Sequence, residues 1–519
     1  MALTNLVPEF DEVVDVLVVG SGGGGLCGAY TAAREGLTVA LIEASDRFGG
    51  TTAYSAGGGM WYPANPVYQR EGLDDTVEDA LEYYRAVVGD RTPAELQETY
   101  VRGGAPLIEY LEQDPHLSFT AYPWVDYFDT APKARLDGKR HIIPTPLPVD
   151  KAPHLREVVR GPLDTDRLGV EHPNDLFIGG RALVARFLTA IEAYENASVR
   201  LHSTLRQLLT DDSGRVIGAV VERDGDTVRI SAERGVLLAA GGFEANDELR
   251  EQYGVPGHAN DTMGPATNDG SALSAALSVG ADVDLMDQAW WSPGLSHPDG
   301  RSAFALGFVG GIFVNQNGER FVNESAPYDM LAREMLDQVA AGELTTPYWM
   351  IYDNSEDGRP PILAPNVSMV ETAEFVSAGL WRSGDTLEEL AGEIGVPAEN
   401  LAATVRRFND IVASGRDADF ERGDHAYDRS FSADAPPLTA IEQGPFHAAA
   451  FGFSDLGTKG GLRTDVHARV LDTSGAVIPG LYAAGNTMAA PSGQVYPGGG
   501  NPIGTSVLFS HLAAAHMAS

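Results

Sequence analysis

The sequence predicts an α/β fold with a parallel central sheet, interrupted by an inserted α+β domain. Three observations predict it. An apolar run followed by spaced glycines, Asp15-Val-Leu-Val-Val-Gly20-Ser21-Gly22-Gly-Gly-Gly25, stands near the N-terminus. Two later apolar runs also end in glycine, at 235–242 and 480–485. Between them the composition changes from about Asp287, where Trp290, Trp291, Phe304, Phe308 and Phe313 cluster. The expected division is a nucleotide-binding domain at 1–286, an inserted domain at 287–457, and the return of the first domain at 458–519.

The first run justifies the nucleotide-binding assignment residue by residue. Val16 to Val19 suits a buried parallel strand. Gly20 permits a tight turn, Gly22 a close backbone approach to a pyrophosphate, and Gly25 close helix–strand packing. The spacing predicts a helix from about Gly25 to Glu35, whose N-terminal N–H groups and dipole favour a phosphate. A second strand, Thr38 to Ile42, ends at Glu43, about 20 residues past the first glycine, where a carboxylate accepts ribose hydroxyls. Strand, turn, helix, strand and acid in this order define a Rossmann-like unit. The loop that follows holds Gly49, Gly50, Thr51, Thr52 and Ser55. Its small, hydroxyl-bearing residues suit a second phosphate and the inner part of a flavin, so the cofactor expected is FAD.

Helices are expected at Thr76 to Val88 and Thr92 to Gln113, with Asp75 and Thr92 as caps. From Phe119 to Pro148 the chain reads as irregular, aromatic and proline-rich, in the manner of a lid or substrate wall. A helix starts at Gly179. Four alternating stretches then read as an antiparallel meander: Val199 to His202, Leu205 to Thr210, Val216 to Arg223 and Val228 to Ala232. The run from Gly235 returns to the parallel sheet and ends at Gly241. Helices are expected at Asn246 to Gly254 and Ser271 to Val279. In the inserted domain they are expected at Met330 to Ala341, Leu387 to Ile394 and Ala398 to Val412, and the acidic segment Arg416 to Asp434 as an exposed loop. After the strand ending at Gly485, Asn486 can hydrogen-bond a ribityl chain. Tyr496 to Thr505, with Pro502 and Ile503, leads onto a C-terminal helix reaching about His516; its N-terminus can stabilise negative charge at the pyrimidine end of a reduced flavin.

Charge and composition exclude several classes. Of 519 residues, 36 are Lys or Arg and 73 Asp or Glu, a net charge of −37. Such a chain is a poor ligand for nucleic acid or anionic membrane. The lone cysteine, Cys27, permits no internal disulfide and fits a cytoplasmic location. Met1 to Glu12 lacks a basic region followed by an apolar stretch, so no secretory signal is expected. No run approaches the ~18 apolar residues of a membrane span. The 12 histidines are scattered without metal-ligand spacing, so no metal is expected; His447 and His297 read as structural. No histidine suits a covalent flavin link, so FAD is expected to be non-covalent. No second glycine fingerprint follows a strand, which disfavours a nicotinamide acceptor and favours a quinone or other carrier.

Three blocks carry a resemblance: Arg320-Phe-Val-Asn-Glu-Ser-Ala-Pro-Tyr328-Asp, Ser454-Asp-Leu-Gly-Thr-Lys-Gly-Gly461 and Tyr496-Pro-Gly-Gly-Gly500-Asn-Pro-Ile-Gly504. With the N-terminal unit and the loop Gly49-Gly50-Thr51, the chain resembles the fumarate reductase/succinate dehydrogenase flavoprotein superfamily. Within it, nearly end to end, it resembles the bacterial FAD-dependent 3-ketosteroid Δ1-dehydrogenases (3-oxosteroid 1-dehydrogenases). The resemblance implies a reaction of steroid degradation: hydride passes from C1 of a 3-ketosteroid to flavin N5, a proton leaves C2, and a C1–C2 double bond forms, as from androst-4-ene-3,17-dione to the 1,4-diene. It implies Tyr328 as the base for the C2 proton and Tyr127, in Val125-Asp126-Tyr127-Phe128, as the tyrosine supporting it. It implies Tyr496 and the backbone N–H of Gly500 as the pair holding the C3 carbonyl oxygen, and Trp124 and Phe304 as walls of the steroid slot.

The chemistry needs these residue types. The C2 hydrogen is acidic only if charge can move onto the C3 oxygen, and losing one of two donors there typically costs about a hundred- to a thousandfold in rate. A phenol, with an ordinary pKa near 10, needs a neighbouring donor or relay to act as a base; a second tyrosine provides it without adding charge. Dicarboxylate-reducing relatives carry arginine where Tyr328 stands, and arginine suits a carboxylate substrate whereas tyrosine suits a neutral ketone. The alternatives are a 3-ketosteroid Δ4-(5α)-dehydrogenase, a fumarate-reductase-like flavoenzyme, and a flavoprotein that binds steroid without turning it over.

Overall fold

The computed structural model describes residues 9–170, 172, 175–432 and 436–519. Most of the stretch read for a secretory signal (1–8) lies outside the described residues, as does the end of the acidic segment (433–435). The chain divides into two compact units. The first comprises the chain up to Val255, Gly264–Ala289 and Gly457–Ser519; the second comprises Pro256–Met263 and Trp290–Leu456.

The first unit is built on a sheet with the order Arg469–Leu471, Val477–Ala483, Asp226–Leu238, Glu12–Val19, Val39–Ile42, Ala197–Arg200. Its middle is parallel: Glu12–Val19 pairs in parallel with Asp226–Leu238 and Val39–Ile42, and Asp226–Leu238 in parallel with Val477–Ala483. Residues 16–19, 39–42 and 236–238 are buried. Strands covered on both faces need apolar side chains on both, which is why they read as unbroken runs. Helix Gly23–Arg34 packs against the C-terminal helix Asn501–Ala518 at very short range: a Cβ on Gly24 would stand 2.3 Å from Ser506 Oγ.

Several local expectations are corrected. The four-stranded meander is not one sheet motif. Ala197–Arg200 leaves it to pair in parallel with Val39–Ile42. Ser203–Thr210, Val216–Arg223 and the first part of Asp226–Leu238 are the antiparallel strands. The two strands expected at Val228 to Ala232 and from Gly235 are one, Asp226–Leu238. Its pattern alternates in the first half, with buried Val228, Ile230 and Ala232 separated by less buried residues, and becomes continuous from Gly235 where both faces are covered. That change of pattern reads as a break in sequence but is only a change of surroundings. Helix Val77–Val88 is capped by Thr76, whose Oγ1 accepts the Asp79 N–H at 3.1 Å, not by Asp75. Helix Ala94–Leu111 follows Pro93, and Thr92 instead donates its hydroxyl to the Pro491 carbonyl at 2.7 Å. The stretch 119–148 is not irregular throughout: Phe119–Ala121 and His141–Pro144 form a small antiparallel sheet with Met60–Trp61. Strands of two to four residues are too short to show a period.

The second unit has a sheet with the order Ile312–Val314, Tyr348–Tyr352, Phe446–Thr458, Ala289–Ser296, Ser302–Phe308, Ile362–Pro365, with Trp381–Gly384 also on Phe446–Thr458. Alternation builds two cores on its two faces. Ile312, Val314, Ile351 and Ala448 meet Leu390, Leu401 and Phe408 of helices Leu387–Ile394 and Ala398–Ser414. Phe313, Met350, Tyr352 and Ala449 meet Leu331 and Met335 of helix Tyr328–Ala340.

The acidic segment is corrected as well. It is not a solvated loop along its length, because Asp417, Arg422 and Asp428 are buried. Arg320 bridges Glu324 and Asp417 at 2.8 Å each, and Arg422 reaches Glu324 at 3.0 Å and the Gly311 carbonyl at 2.6 Å. Opposite charges in the core drew this segment inward.

Candidate active site

The cofactor cradle of the first unit is built at the end of strand Glu12–Val19. A Cβ on Gly25 would stand 1.9 Å from the Gly20 carbonyl, so only glycine lets helix Gly23–Arg34 start there. A Cβ on Gly22 would meet nothing nearer than Thr52 Oγ1 at 3.5 Å; the backbone is open to a ligand at the position read for the pyrophosphate. The first turn carries no acidic residue, which suits an anion at that helix N-terminus. Ser21 joins the turn to the next two segments. Its hydroxyl donates to Glu43 at 2.6 Å and accepts the Gly49 N–H at 3.0 Å.

Glu43 is buried, and its oxygens accept the N–H and hydroxyl of Ser21 and the N–H and hydroxyl of Ser45. The Ser45 hydroxyl has a second acceptor, the Arg47 carbonyl at 2.7 Å, so it can turn away and leave Glu43 free for a ribose hydroxyl. These residues fit FAD: a bare glycine backbone for the diphosphate and a carboxylate with an exchangeable donor for the ribose.

The remaining cofactor candidates converge on the same sheet end. Gly49 precedes helix Gly50–Tyr54, in which Thr52 Oγ1 accepts the Gly23 N–H at 3.0 Å. Ser55 Oγ accepts the Gly58 N–H at 3.0 Å. Asn268 donates to Thr51 Oγ1 at 3.0 Å and to Glu244 Oε1 at 2.6 Å, and a Cβ on Gly241 would collide with Asn268. Gly241 accepts at its carbonyl from Thr487 at 2.7 Å. Gly485 and Asn486 form a single turn of 3₁₀ helix with Thr487. Pro502 and Ile503 lie in the first turn of helix Asn501–Ala518, which also lacks acidic residues.

Sequence reasoning missed Glu244, fully buried at this sheet end, and Lys459, whose ammonium donates to the Gln494 carbonyl at 2.7 Å from a nearly sealed position. Their burial is a tertiary property; the one available hint was that each stands in or beside a glycine block. Cys27 is buried within its helix, and burial pushes its thiol up to about 12, as befits an inert core residue. Among the described residues no group of histidine, cysteine and carboxylate side chains has metal-binding geometry.

A second cluster of the first unit gathers Trp124, Tyr127, Tyr496 and Gly500. The Tyr127 and Tyr496 rings meet edge to face at 5.2 Å, and Trp124 Nε1 donates to the Tyr127 hydroxyl at 3.2 Å. The Gly500 N–H points at the Tyr496 hydroxyl, 3.4 Å away. Gly500 adopts φ 88° as the cap of the C-terminal helix, a conformation that favours glycine. Tyr127 and Tyr496 are both buried, while nearby Tyr122 is 47 % exposed.

In the second unit, Tyr328 opens helix Tyr328–Ala340 behind Pro327, and its buried ring meets Phe304 edge to face at 4.9 Å. The turn before it is fixed from below. Glu324 accepts the Phe313 N–H at 3.0 Å, and Ser325 donates to the Phe308 carbonyl at 2.9 Å. Burial works against the charge on Glu324, yet Arg320 and Arg422 hold its carboxyl below the usual carboxylate range.

The fold and the cradle define an FAD-binding flavoprotein. The family described as FAD binding domain matches residues 15–503, and the chain belongs to it. Within that family it is similar to a 3-oxosteroid 1-dehydrogenase of Rhodococcus opacus, at 38% identity over 98% of this chain and 99% of that protein. It is also similar to a 4-oxocyclohexanecarboxylate 2-dehydrogenase of Sinomonas cyclohexanicum, at 36% identity over 97% and 92% of the two chains. The 3-ketosteroid delta1-dehydrogenase of Sterolibacterium denitrificans, solved in complex with 1,4-androstadiene-3,17-dione, superposes with a TM-score of 0.89 at 29% identity, covering 98% of this chain and 99% of that one.

Proposed function

We propose that the chain is an FAD-dependent 3-oxosteroid 1-dehydrogenase, an oxidoreductase acting on CH–CH groups that desaturates C1–C2 of a 3-ketosteroid A ring during steroid degradation. The observation that carries the reading is the pair formed by the Tyr496 hydroxyl and the Gly500 N–H. At 3.4 Å apart, the two donors can share one carbonyl oxygen between them, each at ordinary hydrogen-bond length. The pair suits a ring ketone, which both kinds of similar dehydrogenase name share.

FAD, when bound, supplies the two-electron acceptor for hydride. The chain's own part is to bind the C3 oxygen and take charge onto it as the C2 proton leaves. Tyr496 and Gly500 do this without a buried cation. The role of Tyr328 as the base for that proton rests on the sequence block in which it stands, and those of Tyr127 as its supporting tyrosine and of Trp124 and Phe304 as steroid walls rest on their positions within the family resemblance. The flavin is taken to be non-covalent, the inserted domain at 287–457 to carry substrate residues, and the acceptor to be a quinone or other carrier rather than NAD(P). A cytoplasmic location is part of the same reading; among the described residues no helix is long and apolar enough to cross a membrane.

The test is product analysis with an artificial electron acceptor. Androst-4-ene-3,17-dione is expected to give the 1,4-diene. Turnover only of a 5α-saturated 3-ketosteroid, yielding the 4-ene, would move the double bond to C4–C5. Turnover of 4-oxocyclohexanecarboxylate without steroid turnover would replace the steroid by a single-ring keto acid.

A further inference from the structure

Beneath the donor pair lies a buried polar cluster for which the reading above gives no role. Asp126, 1% exposed, immediately precedes Tyr127. Its Oδ1 accepts the Trp61 indole N–H at 2.7 Å. Its Oδ2 accepts Arg140 Nη1 at 2.8 Å and the Arg135 N–H at 2.9 Å. Arg140, fully buried, is closed on its other side by Asp75, with Nε at 3.0 Å and Nη2 at 2.9 Å.

The same residue is stitched to the turn that carries the donor pair. Asp126 forms a β-bridge with Gly498, and the Tyr127 N–H donates to the Pro497 carbonyl at 3.1 Å. Tyr83 reinforces the junction from behind: its hydroxyl donates to the Pro497 carbonyl at 2.5 Å and accepts the Phe128 N–H at 3.3 Å. A Cβ on Gly498 would stand 2.7 Å from the Trp61 ring and 3.4 Å from Asp126 Oδ1. The turn therefore rests directly on the Trp61–Asp126 pair.

A surface loop would not repay burying a carboxylate and a guanidinium. Each loses hydration worth several kcal/mol, and such pairs are often no more stable than apolar replacements. What the arrangement provides is a fixed distance between two chain segments far apart in sequence. We propose that Asp126 is a positioning residue for the reaction, fixing the Tyr127 hydroxyl relative to the donor pair of Tyr496 and Gly500. The proposal rests on the functional reading above. It assigns Asp126 no contact with substrate or flavin; it acts through Tyr127.

Asp126→Asn is isosteric, but it turns one oxygen into a donor and removes the charge facing Arg140. Turnover of androst-4-ene-3,17-dione, measured per bound flavin so that unfolded protein is divided out, is expected to fall about 10- to 100-fold, since displacements of about 1 Å can cost this much. KM is expected to move by less than about threefold, because the ketone donors remain. The deciding readout is a double-mutant comparison with Tyr127→Phe. If Asp126 acts through Tyr127, Asp126→Asn added to Tyr127→Phe costs less than about threefold further. Full multiplication of the two losses, or an Asp126→Asn enzyme with normal turnover, would overturn the proposal while leaving the functional reading intact. A Tyr127→Phe enzyme with normal steroid turnover would remove Tyr127 from the mechanism and the proposal with it, whereas a wild-type enzyme that leaves the steroid unchanged would strike the functional reading itself. Should Asp126→Asn not retain FAD, Trp61→Phe, which removes the indole donor to Oδ1 together with part of a buried ring, is put through the same comparison per bound flavin with the same two outcomes.

Discussion

Tyr496 and Gly500, the proposed donors to the ketone, differ in how they can be probed. Tyr496→Phe removes one hydroxyl from a buried ring, and with it the long 3.4 Å contact from the Gly500 N–H, without adding an atom to the turn. It is expected to lower kcat/KM by about a hundred- to a thousandfold with flavin content unchanged, the usual cost of one oxyanion donor; steady-state kinetics beside the flavin absorbance decides this. Gly500 offers no such clean change, because a Cβ there would stand 2.6 Å from backbone atoms of Gly59 and Met60. Asp126 gives a prediction in pH. Burial pushes its carboxyl up to about 6 although Arg140 opposes the shift. The groups facing it are the Arg140 guanidinium, the Trp61 indole and the Arg135 N–H, with Asp75 and Tyr83 close by. Between the unfolded value of about 3.9 and about 6, the folded protein holds a proton that the unfolded chain releases. This group's contribution to stability therefore falls as pH rises through that window. Catalysis should move the opposite way, because the protonated acid no longer holds Arg140. kcat is expected to decline below about pH 6, with that limb missing in Asp126→Asn. Tyr496 could be singled out in the sequence because it stands in a specific block, whereas Tyr127 stands in none of the three and was singled out by position alone. Asp126 stands beside Tyr127, yet its partners Trp61, Asp75 and Arg140 are ordinary residues in separate stretches, and nothing local marks a charge that will be buried.

At the scale of elements, the N-terminal strand–turn–helix was readable because each glycine answers a separate steric demand. Gly25→Ala places a methyl against the Gly20 carbonyl, so the variant is expected to purify without flavin, read as lost visible absorbance per polypeptide. The strands of the meander were misassigned where a short edge strand, Ala197–Arg200, carries no pattern of its own. The acidic segment was misread for a related reason: a run rich in Asp and Glu usually stays in water, and the arginines that draw this one inward lie at Arg320 and within the segment at Arg422. Glu324→Gln removes the charge between those two buried guanidinium groups. Breaking one partner of a buried network costs about 3–5 kcal/mol, so a fall of several degrees in Tm is expected. The wild-type benefit is itself lost as pH falls below the ordinary glutamate range of about 4.3, because Glu324 is held below that range in the folded chain. An unchanged Tm at neutral pH would mean that the cluster adds nothing to stability.

At the scale of the molecule, the chain combines two architectures. A parallel sheet ends in glycine turns that accept a dinucleotide, and a largely antiparallel unit brings Tyr328 to the head of a helix packed on a phenylalanine-rich core. The charge of −37 is spread over a chain whose reacting groups, as proposed, are tyrosines and a backbone amide. That fits chemistry in which no buried ion has to contact a neutral substrate. The parallel sheet could be read from glycine spacing, but the buried polar clusters around Asp126 and Glu324 could not. The most direct measurement is to mix the purified flavoprotein anaerobically with one equivalent of androst-4-ene-3,17-dione, follow the oxidised flavin band, and identify the steroid afterwards. Rapid bleaching with the 1,4-diene as product is the result expected of a 3-ketosteroid Δ1-dehydrogenase. A steroid that binds and leaves both the band and itself unchanged would contradict that account.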